Sequence, residues 1–202
     1  MSRIGVLGGT FDPPHHGHLI IAEQAREQLD LEKVLWVPAG QPPHKIGQDI
    51  SPIDHRLHML RLAIDGHPQF ELSMIDVERP GPHYTVHMLE ELAAEYPTAE
   101  LFLIMGSDSL RDLPTWRDPE GIVEQATLAV INRPNISYDL DTLSSRLSGL
   151  RDHLVVIESP LIDLSGLTIR ALAAQNRTIR YLTLPAVLSY INQHSLYRAS
   201  VA

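Results

Sequence analysis

Gly8-Gly9-Thr10-Phe11-Asp12-Pro13-Pro14-His15-His16-Gly17-His18 decides how the rest of the chain is read. Upstream lies Arg3-Ile4-Gly5-Val6-Leu7, a short apolar run that predicts a buried first strand. Downstream, from Leu19 to Leu29, apolar residues recur at helical spacing. The glycines and histidines therefore fall on a strand-to-helix turn. Gly8 and Gly9 let backbone N–H groups approach a ligand with no side chain in the way. The positive end of the following helix favours an anion. Imidazoles beside a phosphate donate hydrogen bonds, more strongly when protonated. The chemistry implied is phosphate handling.

The glycine spacing excludes two familiar solutions. Neither the dinucleotide fingerprint Gly-x-Gly-x-x-Gly nor a Gly-x-x-x-x-Gly-Lys-Ser/Thr loop follows this strand. What stands there, Gly9, Phe11, Pro13 and His15-His16-Gly17-His18, resembles the nucleotidyltransferases that carry an HxGH signature on a Rossmann-like fold. Two plainer readings compete: helix-cap histidines, or a metal site built on three close histidines. Neither a cysteine nor a His-Glu-x-x-His motif is present to complete a zinc site.

The 202 residues suit one α/β domain, and an apolar content of 44% is ample for a core. A formal net charge of −9 argues against a general nucleic-acid or anionic-membrane binder. The absence of cysteine excludes disulfides, thiol catalysis and iron–sulfur ligation. The first strand begins almost at Met1, leaving no room for a signal peptide, and no apolar run reaches membrane-spanning length. A cytoplasmic enzyme is the expectation.

Further strands are expected at Lys33 to Pro38, Phe70 to Val77, Glu100 to Met105, Thr127 to Ile131 and His153 to Ile157. Helices are expected at Ile53 to Ile64, after Thr85 as N-cap, at Pro119 to Gln125, Tyr138 to Leu150, Leu167 to Ala174, and Pro185 to Gln193. This alternation predicts an α/β fold, a Rossmann-like, doubly wound, mostly parallel sheet over residues 1–202, with a small helical portion from about 160 onward. Ligands bind such sheets beyond the C-terminal strand ends, where strand order reverses. Gly106-Ser107-Asp108-Ser109 forms a second strand-to-loop junction of phosphate- or ribose-binding character.

Outside the two junctions several residues carry two readings each. Lys45, behind the stiff Pro42-Pro43 pair, is a solvated lysine or a counter-charge for a transferring phosphate. Tyr84 and Trp116 are core aromatics or a stacking platform for a flat heteroaromatic ring. Arg170, in the opening turn of a late helix, and Arg133, after the fifth strand, are surface arginines or polyphosphate ligands.

Taken jointly, the motifs are similar to those of the bacterial nicotinate mononucleotide adenylyltransferases. That family's GGTFDPxHxGHL is matched by Gly8 to Leu19, and its PPHK by Pro42 to Lys45. Its ERxGxSYT is matched by Glu78 to Thr85 with His83 in place of the serine. Its GxD followed by tryptophan is matched by Gly106, Asp108 and Trp116, and its ISSTxIR by Leu164 to Arg170. The tail motif YLxPxxVxxYIxxxxLY corresponds to Tyr181 to Tyr197. The departures are His83, His87 where an acid is common, and Gly166 and Leu167, which replace two hydroxyls of the late motif.

The resemblance implies adenylyl transfer from ATP to nicotinate mononucleotide, giving deamido-NAD and pyrophosphate. It implies that His15, His18, Lys45 and Arg170 act on the reacting phosphates. Gly8, Gly9, Thr10, Phe11, Gly106, Asp108 and Ser165 would join His15, His18 and Arg170 in holding ATP. Lys45, Tyr84, Thr85, Trp116 and Arg133 would hold the mononucleotide. No protein metal site is implied, Mg²⁺ being carried on the ATP phosphates. The expected partners are these small molecules, with no nucleic acid and no membrane; a homo-oligomer is left open. The alternatives are an HxGH adenylyltransferase with a nicotinamide mononucleotide or phosphopantetheine acceptor, and a non-catalytic nucleotide sensor, whose expected mark is loss of His18 or Lys45.

Overall fold

In the computed structural model, residues 2–40 and 50–198 are described. The strands are β1 (Arg3–Gly9), β2 (Lys33–Pro38), β3 (Phe70–Leu72), β4 (Glu100–Gly106), β5 (Thr127–Ile131) and β6 (Leu154–Ile157). They form one sheet in the order β3-β2-β1-β4-β5-β6, parallel at every pairing. The chain builds one half outward from β1 and the other outward from β4, so strand order reverses between them.

Side-chain alternation explains the layers. Ile4 and Val6 of β1, with Leu101, Leu103 and Met105 of β4, point to one face. There they meet α4 (Thr85–Glu95) and α6 (Pro119–Gln125) through Leu89, Leu92, Ile122 and Val123. Leu7, Trp36, Phe102 and Ile104 point to the other face. They are covered by Ala22 and Ala25 of α1 (His16–Gln28) and by Leu60 and Ile64 of α2 (Ile53–Ile64). A third cluster joins Met59 and Ala63 of α2 to Ile169 of α8 (Gly166–Ala174) and to Val187 and Ile191 of α9 (Pro185–Gln193). The expected helical C-terminal portion thus packs on α2.

Some expected boundaries move. β3 stops at Leu72 instead of Val77. Val77 and Glu78 donate back to the Met74 carbonyl at 2.7 and 3.0 Å, closing the short helix α3 (Ile75–Glu78). Helix α7 (Leu140–Arg146) is shorter than Tyr138 to Leu150. The Asp139 carboxylate caps its start, and Gly149, at φ +73°, marks the turn beyond its end. Tyr84, not Thr85, is the N-cap of α4, because Met88 N–H bonds the Tyr84 carbonyl at 3.2 Å and so opens the helix one residue earlier. Helix α1 begins at His16, which brings Gly17 and His18 into its first turn.

Candidate active site

The C-terminal ends of β1 and β4 open into a cleft at the reversal of strand order. Gly8, Gly9 and Thr10 form one wall, Gly106, Ser109 and Arg133 another, with His18 between them and His83, Thr85 and Trp116 at the far end. Two further cavities share residues with it. One, with Ile20, Ile21, Ile162 and Leu164, meets it at His18, Gly106 and Arg133. The other, with Tyr84, Asp108 and Arg117, meets it at His83, Thr85, Ser109 and Trp116. Together they make a trough with an apolar end, a basic middle and an aromatic end.

The middle is built from the histidine loop. His15, 4% exposed, is the N-cap of α1 and stacks on His18 with centroids 3.7 Å apart. The His15 N–H donates to His18 Nδ1 at 3.2 Å, so the ring proton of neutral His18 sits on Nε2. Phe11 is buried beneath, its ring 5.0 Å from His18 and 5.5 Å from Trp36, so it supports the loop from below. Burial, reinforced by the positive charges of Arg133 and His16, lowers the His15 pKa to about 4. His15 is therefore neutral near pH 7, and its buried Nδ1 has no hydrogen-bond partner among the described residues. An unmet buried polar atom costs about 1–3 kcal/mol, which a ligand can recover.

Arg56, which sequence reasoning did not single out, ties this region together. It is 2% exposed and donates to the carbonyls of Ser51, Thr10, Ala39 and Gly40 at 2.8–3.1 Å. Its guanidinium thus joins the exits of β1 and β2. Its only sequence signal is a charged residue among the apolar positions of α2.

At the second junction, Arg133 Nε lies 3.2 Å from Asp108 Oδ1 without a hydrogen bond between them, and the Arg133 N–H donates to Ser107 Oγ at 3.0 Å. Such a half-exposed, poorly aligned pair is weak and can be redirected by ligand. At the aromatic end, buried Asp76 holds Arg79 at 2.7–2.9 Å, and Arg79 reaches the Tyr84 carbonyl at 3.2 Å. This fixes the approach to α4. His83 is buried, donating from Nε2 to the Arg79 carbonyl at 3.1 Å. A Cβ on Gly40 would lie 2.8 Å from both His83 Cε1 and the Asp76 carbonyl, so only glycine fits there. Among the described residues the α4 start has neither a side-chain cap nor an acidic first turn. Tyr84 and Trp116 are half-buried, packed against the core, and line the trough.

Arg170 and Ser165 stand slightly apart. Arg170 Nη1 donates to the Asp12 carbonyl at 2.7 Å, and Ser165 Oγ accepts from Thr168 N–H as the cap of α8. Gly166 sits where a Cβ would be 2.8 Å from the Asp12 carbonyl, while Leu167 is 70% exposed. His87 is also exposed, edge-on to Tyr84. Lys45 lies outside the described residues. Among the described residues no group of three His, Cys, Asp or Glu side chains could hold a metal ion, and no helix is long and apolar enough to cross a membrane.

A parallel sheet that reverses at β1, with a histidine-bearing helix start at the reversal, is the arrangement of a nucleotidyltransferase of Rossmann-like fold. The comparisons narrow this class. The chain belongs to the cytidylyltransferase-like family, whose model matches residues 6–172, and within it to the nicotinate-nucleotide adenylyltransferases. A probable nicotinate-nucleotide adenylyltransferase of Thermomicrobium roseum is 54% identical over 98% of this chain and 92% of its own length. Its counterpart in a Roseiflexus species is 47% identical over 96% and 98%. The Plasmodium falciparum nicotinic acid mononucleotide adenylyltransferase complexed with NaAD superposes with a TM-score of 0.80, covering 98% of both chains at 18% identity. That likeness speaks for the fold.

Proposed function

We propose that the trough carries out adenylyl transfer by direct attack between two substrates, with no covalent enzyme intermediate. The chain is a nicotinate-nucleotide adenylyltransferase: it transfers the adenylyl group of ATP to nicotinate mononucleotide, giving deamido-NAD and pyrophosphate in NAD biosynthesis. The observation that carries the residue assignments is the continuity of the trough, from the apolar Ile21–Ile162 end, past His18 and Arg133, to Thr85 and Trp116.

The acceptor 5′-phosphate is already anionic, so its oxygen can attack the α-phosphorus without a general base. The bond to the β-phosphate oxygen breaks and pyrophosphate departs. Catalysis is then positioning and charge neutralisation. His18, donating from Nε2, and His15 contact the ATP phosphates, over the N–H groups of Gly9 and Thr10 and the start of α1. Arg133, released from Asp108, and Arg170 add positive charge, and Lys45 is assigned to the same task. Asp108 accepts from a ribose hydroxyl. The ATP is taken up as its Mg²⁺ complex, consistent with a site that offers imidazoles and guanidiniums in place of a carboxylate cage. Residues 1–202 act as one nucleotidyltransferase unit working in the cytoplasm.

At the aromatic end, the free N–H groups of α4 favour the nicotinate carboxylate over the neutral amide, and Trp116 stacks on the ring. The test is pyrophosphate release from MgATP with nicotinate mononucleotide, nicotinamide mononucleotide or phosphopantetheine. Clear preference for the first is expected. Equal use of both mononucleotides removes the α4 assignment, and preference for phosphopantetheine overturns the reading.

A further inference from the structure

The last described residues of the chain reach back onto the histidine loop. Tyr197 donates its hydroxyl to Asp12 Oδ1 at 2.6 Å. The other carboxylate oxygen of Asp12 accepts from Ser51 N–H at 3.0 Å, and its carbonyl accepts from Arg170 at 2.7 Å. Asp12 is buried, so its carboxylate depends on these partners. Burial, then the neighbouring Asp12 charge, raises the Tyr197 pKa, keeping the hydroxyl protonated and a donor. On either side of His15, Thr183 Oγ1 donates to the Pro14 carbonyl at 2.7 Å, and the Leu182 carbonyl accepts from His16 N–H at 3.3 Å. The residues between Asp12 and His15 are Pro13 and Pro14, whose fixed φ angles pass the placement of Asp12 on to the imidazole.

We propose that Tyr197, through its hydroxyl bond to Asp12, is a positioning residue for His15 and His18, so that the C-terminal segment sets the geometry of the phosphate loop. The inference rests on the reading of that loop as the ATP phosphate site. Tyr197 contacts no substrate in this account. It acts by denying Asp12 a second orientation, and a buried loop displaced by about 1 Å costs up to a hundredfold in rate.

The test is Tyr197→Phe, which keeps the ring and removes the donor, alongside Thr183→Val. For Tyr197→Phe we expect kcat to fall about tenfold with KM for the mononucleotide within about twofold. The melting temperature should drop by no more than about 4 °C. The imidazole resonances of His15 and His18 should move in the free enzyme. Asp12→Ala combined with Tyr197→Phe should lose no more than Asp12→Ala alone, since the acceptor of the Tyr197 hydroxyl is then already gone. Thr183→Val, which loosens the other side of His15, should shift the same resonances if Tyr197→Phe does not fold. An unchanged kcat in folded Tyr197→Phe, unmoved histidine resonances, or multiplicative losses in the double variant each overturn the proposal. If His18→Ala is also fully active, the phosphate-site reading fails; if only Tyr197→Phe is silent, this inference alone fails.

Discussion

The histidine-bearing middle of the trough and its aromatic end are built differently. Around the histidine loop Phe11 lies buried under the loop, buried Arg56 spans the β1 and β2 exits, and Tyr197 holds the buried Asp12. At the aromatic end Tyr84, Thr85 and Trp116 are half-buried and meet solvent, and α4 opens without a side-chain cap. The proposed chemistry accounts for the difference. Transition-state charge is stabilised by groups that need not reorganise, which demands a rigid shell. Recognition of a ring and its carboxylate needs access, a flat face and a few N–H groups.

The comparison breaks most severely at Arg56. Arg56→Met leaves the carbonyls of Thr10, Ala39, Gly40 and Ser51 without their donor, and should cost about 3–5 kcal/mol in urea unfolding, the range for disrupting a buried charged network. An effect under 1 kcal/mol would mean that the two loops hold themselves.

His18→Ala acts on chemistry instead of folding. Loss of a preorganised donor typically costs about 2.7–4 kcal/mol of transition-state stabilisation, so turnover should fall at least about a hundredfold while the melting curve barely moves. Near-normal turnover in a folded variant would remove His18 from the mechanism.

His15 supplies a pH dependence with a definite sign. Its pKa is about 4 folded and near 6.5 in the unfolded chain, so between those values the unfolded chain binds a proton that the folded protein does not. Stability should therefore fall as pH drops from 6.5 towards 4, by roughly 2–3 kcal/mol for this one group. Denaturation curves at several pH values should show that slope flattened in His15→Asn; an unaltered slope would assign it to other groups.

Smaller effects separate the two ends. Arg170→Ala should raise KM for ATP roughly tenfold and leave the mononucleotide nearly unaffected, with Lys a partial substitute for the planar guanidinium. Trp116→Leu should do the reverse, raising KM for the mononucleotide about threefold to tenfold, as loss of ring stacking predicts. Steady-state kinetics with one substrate varied at a time distinguishes them; a rise for both substrates in either variant would merge the ends into one site.

What the sequence disclosed of each end differs for physical reasons. The histidine loop was legible because strand periodicity, glycine placement and helix spacing all act within twenty residues of one another. The sheet was legible from the same periodicity, except where Met74-Ile75-Asp76-Val77 offered apolar residues without saying that a turn of helix would bury Asp76 against Arg79. Arg56 and the Tyr197–Asp12 bond could not be read, because each joins residues far apart in the chain and only the fold brings them into contact. The N-cap of α4 falls at Tyr84, one residue before the expected Thr85, because only the fold shows which carbonyl accepts the first helical bond.

The central claim, direct transfer with no enzyme-bound adenylate, is tested by isotope exchange. The enzyme is incubated with MgATP and labelled pyrophosphate, first without and then with nicotinate mononucleotide. Direct attack predicts no label in ATP until the acceptor, and hence deamido-NAD, is present. Label entering ATP without any acceptor would require a side chain to carry the adenylyl group, and would contradict the account.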